Sequence, residues 1–293
     1  MKRSFLLGGL VLALAAATPA LAQVTLTHVH GLGYSADGKR LFVPSHHGLA
    51  VYSEGRWAKA PGPQHDYMGF APARGAFYTS GHPAPGSGLI NPFGLMKSED
   101  GGATWRKLGL EGEADFHVMA VGYESKAVYV FNHGPNSRMR AAGLHATEND
   151  GFSWRQARVR GLAGEVIALA VHPRDAKTVA AATERGLYLS TDGGDTFRAL
   201  SQEQTTSVAF DLDGEHLWAG GFTGQARLVR VAWRGSKSED VKLPELGRDA
   251  VSYIAQNPAA RSEYAIATFE RSVFLSRDGG RSWTRIAERG RAG

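Results

Sequence analysis

Short stretches of alternating or continuous apolar residues, broken by turn residues, recur from Thr27 to the end of the chain and predict strands throughout. They fall into six units of four. The innermost strands are expected at 27–34, 67–72, 116–122, 166–172, 206–211 and 251–257, and the second strands at 40–45, 75–80, 127–132, 178–183, 216–220 and 263–269. Turn sequences such as Ala36-Asp37-Gly38-Lys39 and Asp211-Leu212-Asp213-Gly214 join the first two strands of units one and five.

A second period runs through the same units. Ser98-Glu99-Asp100-Gly101-Gly102-Ala103-Thr104-Trp105 and Ser276-Arg277-Asp278-Gly279-Gly280-Arg281-Ser282-Trp283 share the pattern S-x-D-x-G-x-x-W. Ser190 to Phe197 carries it with a terminal Phe, and Thr147 to Trp154 carries it with Asn149 in place of Asp. The four starts are 49, 43 and 86 residues apart, and the last gap is twice the one before it. A repeat of roughly 40 to 50 residues built from short strands predicts an all-β, six-bladed β-propeller. In such a segment a short carboxylate accepts hydrogen bonds from turn N–H groups, Gly supplies positive φ and the aromatic ring covers the hairpin, so its expected role is structural. Ser53-Glu54-Gly55-Arg56-Trp57 reads as a shortened remnant in unit one, and unit five shows none.

Stacking the units shows what each places at the channel mouth. The inner-strand position holds His30, Met68, His117, Ile167, Thr206 and Ser252, with His28, Asp66, Asp115 and Glu165 two residues earlier in units one to four. After the second strands come His46-His47, His82, His133, Glu184, Phe222 and Glu270. Of 11 histidines, eight (these seven and His65) are expected on this face, all from units one to three. His145, His172 and His216 read as ordinary structure. Imidazole is the commonest transition-metal ligand and a channel lets several approach one point. His28, His30, His46, His47, His82, His117 and His133, with Met68, are therefore candidate metal ligands, for copper first and zinc equally by the imidazoles. Loops 83–94 and 134–140 extend the chain beside His82 and His133, where loops on a rigid scaffold carry function.

Composition narrows the setting. Lys2 and Arg3, an apolar run from Phe5 to about Ala17 and the small-x-small end at Ala20-Leu21-Ala22 predict a signal peptide over 1–22 and export to the periplasm or medium, leaving one domain over 23–293. The chain has no Cys, so packing must hold the fold and a soft-metal site must use His and Met. The formal charge of +5 has no basic run interleaved with aromatics, which argues against nucleic acid. A monomer is expected, with a metal ion or small ligand in the channel and a protein or glycan as further partner.

The four repeated segments resemble the BNR/Asp-box repeat superfamily, and the exported organisation is similar to proteins labelled Asp-box glycosyl hydrolases or sortilin-like propellers. The resemblance covers nearly the whole of 23–293 and implies the propeller fold. It leaves activity open, because the superfamily holds sialidases, other glycosidases, photosystem assembly factors and sortilin receptors. Sialidase residues do not carry over, since His28-Val29-His30-Gly31-Leu32 stands where an Arg-Ile-Pro-like segment would be needed. Three readings stand: a binding or accessory protein holding a metal through the histidines; a glycosidase using two of Asp66, Asp115, Glu165, Glu184, Asp249 and Glu270; and a peptide-binding scaffold. In the second reading the bland role of Glu184 and Glu270 is pairing with Arg185 and Arg271.

Overall fold

The structure, a computed structural model, describes residues 24–235 and 237–292. Six four-stranded antiparallel sheets follow one another along the chain, each with its strands in sequence order. Strand β1 (Val24–Thr25) precedes them. Blade one comprises β2 (Gly33–Tyr34), β3 (Leu41–Ser45), β4 (Gly48–Ser53) and β5 (Arg56–Lys59). Blade two comprises β6 (Asp66–Ala73), β7 (Ala76–His82), β8 (Leu95–Ser98) and β9 (Arg106–Gly109). Blade three is β10 (Met119–Val121), β11 (Val128–Asn132), β12 (Gly143–Thr147) and β13 (Arg155–Gln156), and blade four β14 (Val166–Val171), β15 (Val179–Thr183), β16 (Gly186–Ser190) and β17 (Arg198–Ser201). Blade five is β18 (Thr205–Phe210), β19 (His216–Phe222), β20 (Ala226–Ala232) and β21 (Ser238–Asp240). Blade six is β22 (Val251–Gln256), β23 (Tyr264–Thr268), β24 (Val273–Ser276) and β25 (Thr284–Ala287), followed by β26 (Arg291–Ala292). The expected six blades are all present. The candidate signal peptide at 1–22 lies outside the described residues, and among those described no helix is long and apolar enough to cross a membrane.

The ring closes where the ends of the described chain meet. Thr25 pairs with Arg291 and Val24 with Ala292, and Leu26 N–H donates to Gly290 O at 2.8 Å. Val24, Leu26 and Ala292 then join a core shared by blades one and six. The inner strand expected at 27–34 is correspondingly short. Residues 26–32 leave the ladder, touching blade one through His30 N–H to Pro44 O at 3.1 Å, and only Gly33–Tyr34 pair with β3.

The repeated eight-residue segments form the turns between third and fourth strands, as expected. Asp278 Oδ1 accepts from Ser282 N–H at 2.9 Å, and Oδ2 from the Ser282 hydroxyl at 2.6 Å. Ser276 Oγ accepts from Gly280 N–H at 2.8 Å, and the segment containing Asp100 repeats the pattern. Asn149 preserves the turn by accepting from Ser153 N–H at 3.0 Å while its amide donates to Ser153 Oγ at 2.9 Å. In blade one the turn is cut to Glu54-Gly55, both at positive φ, as a two-residue hairpin of the primed type requires.

The aromatic that ends each segment does more than cover its own hairpin: it packs onto the preceding blade. Trp105 joins Phe42 and Leu49 of blade one, Trp154 joins the core containing Leu95 of blade two, and Phe197 joins Tyr129 and Leu144 of blade three. Trp283 Nε1 donates to Lys242 O beyond blade five at 2.9 Å, and Trp57 Nε1 donates to Ile286 O of blade six at 2.7 Å. Blade five, which lacks the segment, places Trp233 at the start of its turn, packed with Leu187 and Leu189 of blade four. Each blade thus carries one large ring that grips its predecessor, and the sixth grip closes the circle.

Candidate functional site

The inner strands bend at one repeated position. Register shifts fall between Tyr67 and Gly69, Val166 and Ala168, Thr205 and Ser207, and Val251 and Tyr253. The residues skipped are Met68, Ile167, Thr206 and Ser252, the same four that occupy the inner-strand position when the units are stacked. A bulge leaves one residue out of the ladder and re-aims its neighbours, which suits the rim of a channel. In blades one and three the equivalent residues, His30 and His117, lie in segments that have left the ladder altogether.

Connections between second and third strands, and those entering each inner strand, lie on one face of the ring, opposite the eight-residue turns. This face receives His28 and His30 before β2, His46 after β3, His82 at the end of β7, Asp115 and His117 before β10, and His133 after β11. The channel holds a cavity of about 180 Å³ lined mainly by apolar residues of the inner strands and the segments that lead into them, among them Leu32, Phe70, Val118, Leu169 and Ile254.

The histidines do not converge on a single point. They form two groups. In the first, one ring nitrogen from each of His28, His30 and His46 lies within 4.8 Å of the others. The ring centroids of His28 and His46 are 4.5 Å apart, and those of His30 and His46 4.8 Å. Asp66 of blade two reaches across to His46, its Oδ2 2.6 Å from Nδ1. His30 Nε2 is buried without a hydrogen-bond partner. Burial, with His46 beside it, holds the His30 imidazole down at about 4, so it is neutral with a free lone pair at pH 7.

The second group is His82, Asp115 and His117. Asp115 Oδ2 lies 2.6 Å from His117 Nε2 and 3.0 Å from His82 Nε2, while Asp115 Oδ1 is buried with no partner. The hydrogen bond to Asp115 raises the His117 imidazole above its ordinary value. Asn91, on loop 83–94, places Oδ1 2.7 Å from His82 Nδ1. That loop is pinned by Phe93, which is fully buried and whose N–H donates to Gly81 O at 3.0 Å. Loop 134–142 is pinned at the blade two–three seam by buried Met139 and by Arg138, which donates to Leu108 O at 2.9 Å.

Several expected residues stand apart. His47 is exposed next to His46, and His133 lies 6.4 Å from His117, centroid to centroid, outside both groups. His65, expected at the mouth, is instead buried beside Tyr67 and Phe93, its Nδ1 accepting from Ala84 N–H at 2.9 Å. Met68 is half-buried at its bulge. Glu165 and Glu184 are exposed loop residues. Glu270 pairs with Arg289 at 3.2 Å rather than with Arg271, whose guanidinium donates to Thr27 O. Asp249 is a buried turn residue accepting from Ala250 and Glu270 N–H. The acids that face imidazoles are Asp66 and Asp115, which the stacked units offer only as catalytic carboxylates. The signal is in the repeats, where an acid occupies the same register as His28.

A third group, Asp211, Asp213 and His216, already contains its cation. Arg230 lies 2.9 and 3.1 Å from Asp211 Oδ2 and 3.0 Å from His216 Nδ1, and Tyr264 donates to Asp211 Oδ1 at 2.7 Å.

Solved structures of similar fold include the GH74 enzyme of Niastella koreensis (15% identity over 91% of this chain, TM-score 0.61) and an ancestral GH74 enzyme (12% over 92%, TM-score 0.56). YCF48 bound to a D1 peptide is another (15% over 92% of this chain and 85% of that one, TM-score 0.50). This chain spans 46% and 40% of the two GH74 chains. At these identities the likeness is one of fold. No family model and no curated protein matches the chain.

Proposed function

We propose that this chain is an exported propeller of the Asp-box superfamily that serves as a binding or accessory protein and holds a transition-metal ion at its channel mouth through His28, His30 and His46. The observation that carries the reading is His30, a neutral, half-buried imidazole whose buried Nε2 has no partner in the protein and which offers a ring nitrogen within 4.8 Å of ring nitrogens of two further histidines. Leaving such an atom unsatisfied costs about 1–3 kcal/mol, and a metal bond removes that cost. Asp66 supplies the carboxylate that orients a ligating imidazole through its other nitrogen. Three imidazoles free of thiolate suit copper or zinc.

The hydrolase reading has weaker support. Its two best-placed carboxylates, Asp66 and Asp115, are both engaged by histidines.

The test is elemental analysis and metal titration of protein prepared without a His tag. Copper or zinc should bind at micromolar or lower free concentration, and His30→Ala should abolish binding at this group. A parent protein that binds neither ion at micromolar concentration, or a His30→Ala variant that binds like the parent, overturns the proposal.

A further inference from the structure

The histidines of blades two and three are not needed by the first group, yet they are not idle surface. His82 comes from the end of β7, and Asp115 and His117 from the segment entering β10, so two blades each contribute to one small cluster. Both Nε2 atoms aim at a single oxygen, Asp115 Oδ2, at 3.0 and 2.6 Å. The other oxygen, Oδ1, is buried and has no donor. Concentrating two imidazoles on one carboxylate oxygen while its twin goes unpartnered is poor hydrogen-bond economy.

The arrangement is good ligand economy. Two imidazole nitrogens and a carboxylate bring three ligand atoms within 4.8 Å of one another from two blades. His82 also has its outer nitrogen held by Asn91 Oδ1, the tie that fixes the ring orientation of a ligating histidine. His82 and His117 are also half to substantially exposed, so outer positions on a bound ion would remain open to water or a small ligand.

We propose that His82, Asp115 and His117 bind a divalent transition-metal ion of their own, so that the mouth is a two-metal site with chemically unlike halves. The inference extends the metal reading of this face but uses none of the first group's ligands. The mixed nitrogen and oxygen set favours a borderline divalent ion such as Zn(II), Co(II), Mn(II) or Fe(II), whereas the all-imidazole set next to it admits copper. Asp66 lies between the halves: it pairs in register with His82 across β6 and β7 and bonds His46 of the first group. Its Oδ1 is also buried and unpartnered.

Calorimetric titration of the tag-free full protein with ZnCl₂ tests this, with Co(II) absorption as a second readout. Two equivalents of zinc are expected. His82→Ala/His117→Ala should retain one and lose one Co(II) spectrum, His30→Ala should retain the other, and Asn91→Ala should weaken only the second equivalent, by about 10- to 100-fold. If the double variant does not fold by circular dichroism, Asp115→Asn replaces it. One equivalent that survives the double variant overturns this inference and leaves the first group's reading in place. One equivalent lost in the double variant and kept in His30→Ala upholds the inference and overturns that reading. One equivalent lost in both variants means a single shared centre and overturns the two-site proposal, and no binding at all overturns both.

Discussion

His46 of blade one and Asp66 of blade two stand 2.6 Å apart, Nδ1 to Oδ2, and tie the two blades together at the channel mouth. The contact engages Nδ1 of His46, so that Nε2 is the nitrogen left for an ion, and it joins the metal reading to a residue that need not touch the ion. Asp66→Asn should therefore lower zinc or copper affinity of the first group by about 10- to 100-fold while leaving the fold unchanged. Chelator competition measures this, and an unaltered affinity would show that the pair is only a surface contact.

Histidines outside the mouth provide the control. His172 Nδ1 accepts from Arg174 and Asp175 N–H at 3.2 and 3.0 Å, and the ring packs on Phe210 and Trp233. His172→Ala should leave metal binding untouched yet destabilise the protein by about 1–3 kcal/mol, through the loss of two hydrogen bonds to a buried ring. Urea denaturation and metal titration on the same sample separate the two effects.

The inter-blade rings should differ in worth according to burial. Trp218 is fully buried and stacks on Tyr264 with centroids 4.2 Å apart, so Trp218→Ala should cost about 3–5 kcal/mol. Trp105 and Trp283 are only half-buried, which places Trp283→Ala lower, at about 2–3 kcal/mol for partial burial plus the bond to Lys242 O. Denaturation midpoints order the variants, and equal losses would mean that the grip on the preceding blade outweighs the depth to which each ring is buried.

Acid sensitivity should trace to the repeated turns. Hydrogen bonds from Ser282 and Ser276 hold Asp278 down at about 2, below its ordinary 3.8. A carboxyl depressed in the folded state binds protons better when unfolded, so its stabilisation is complete above pH 3.8 and is lost as pH falls toward 2. Asp278→Asn should flatten the stability profile across that window and leave it parallel to the parent above pH 5. An unchanged acid limb, read by fluorescence, refutes the assignment.

The number of blades, most of the strands and the face that bears histidine were legible in the sequence, because period and alternation encode them directly. Stacking also put Met68, Ile167, Thr206 and Ser252 at one position, though nothing in the pattern of the strands announced that each would be a bulge. What stacking discards is angle. It gives each residue a height on the ring, whereas blades one and three are separated by two steps of about 60° in a six-bladed ring. His30 and His117 share a height but belong to different groups for that reason. The direction of a side chain is lost as well: His46 faces the mouth and His47, one residue on, is exposed outside the group. Closure was not legible, since two-residue strands at Val24–Thr25 and Arg291–Ala292 carry no pattern.

That closure also sets a clock. The bond from Trp57 to Ile286 spans 229 residues, and Val24 waits for Ala292. A chain emerging amino-terminus first can stack blades two to five as they appear. Blade one must hold its apolar edge open until the final strands arrive. The partly emerged chain is thus an arc of stacked blades, and it becomes a ring only when β26 reaches β1 and Trp57 finds Ile286.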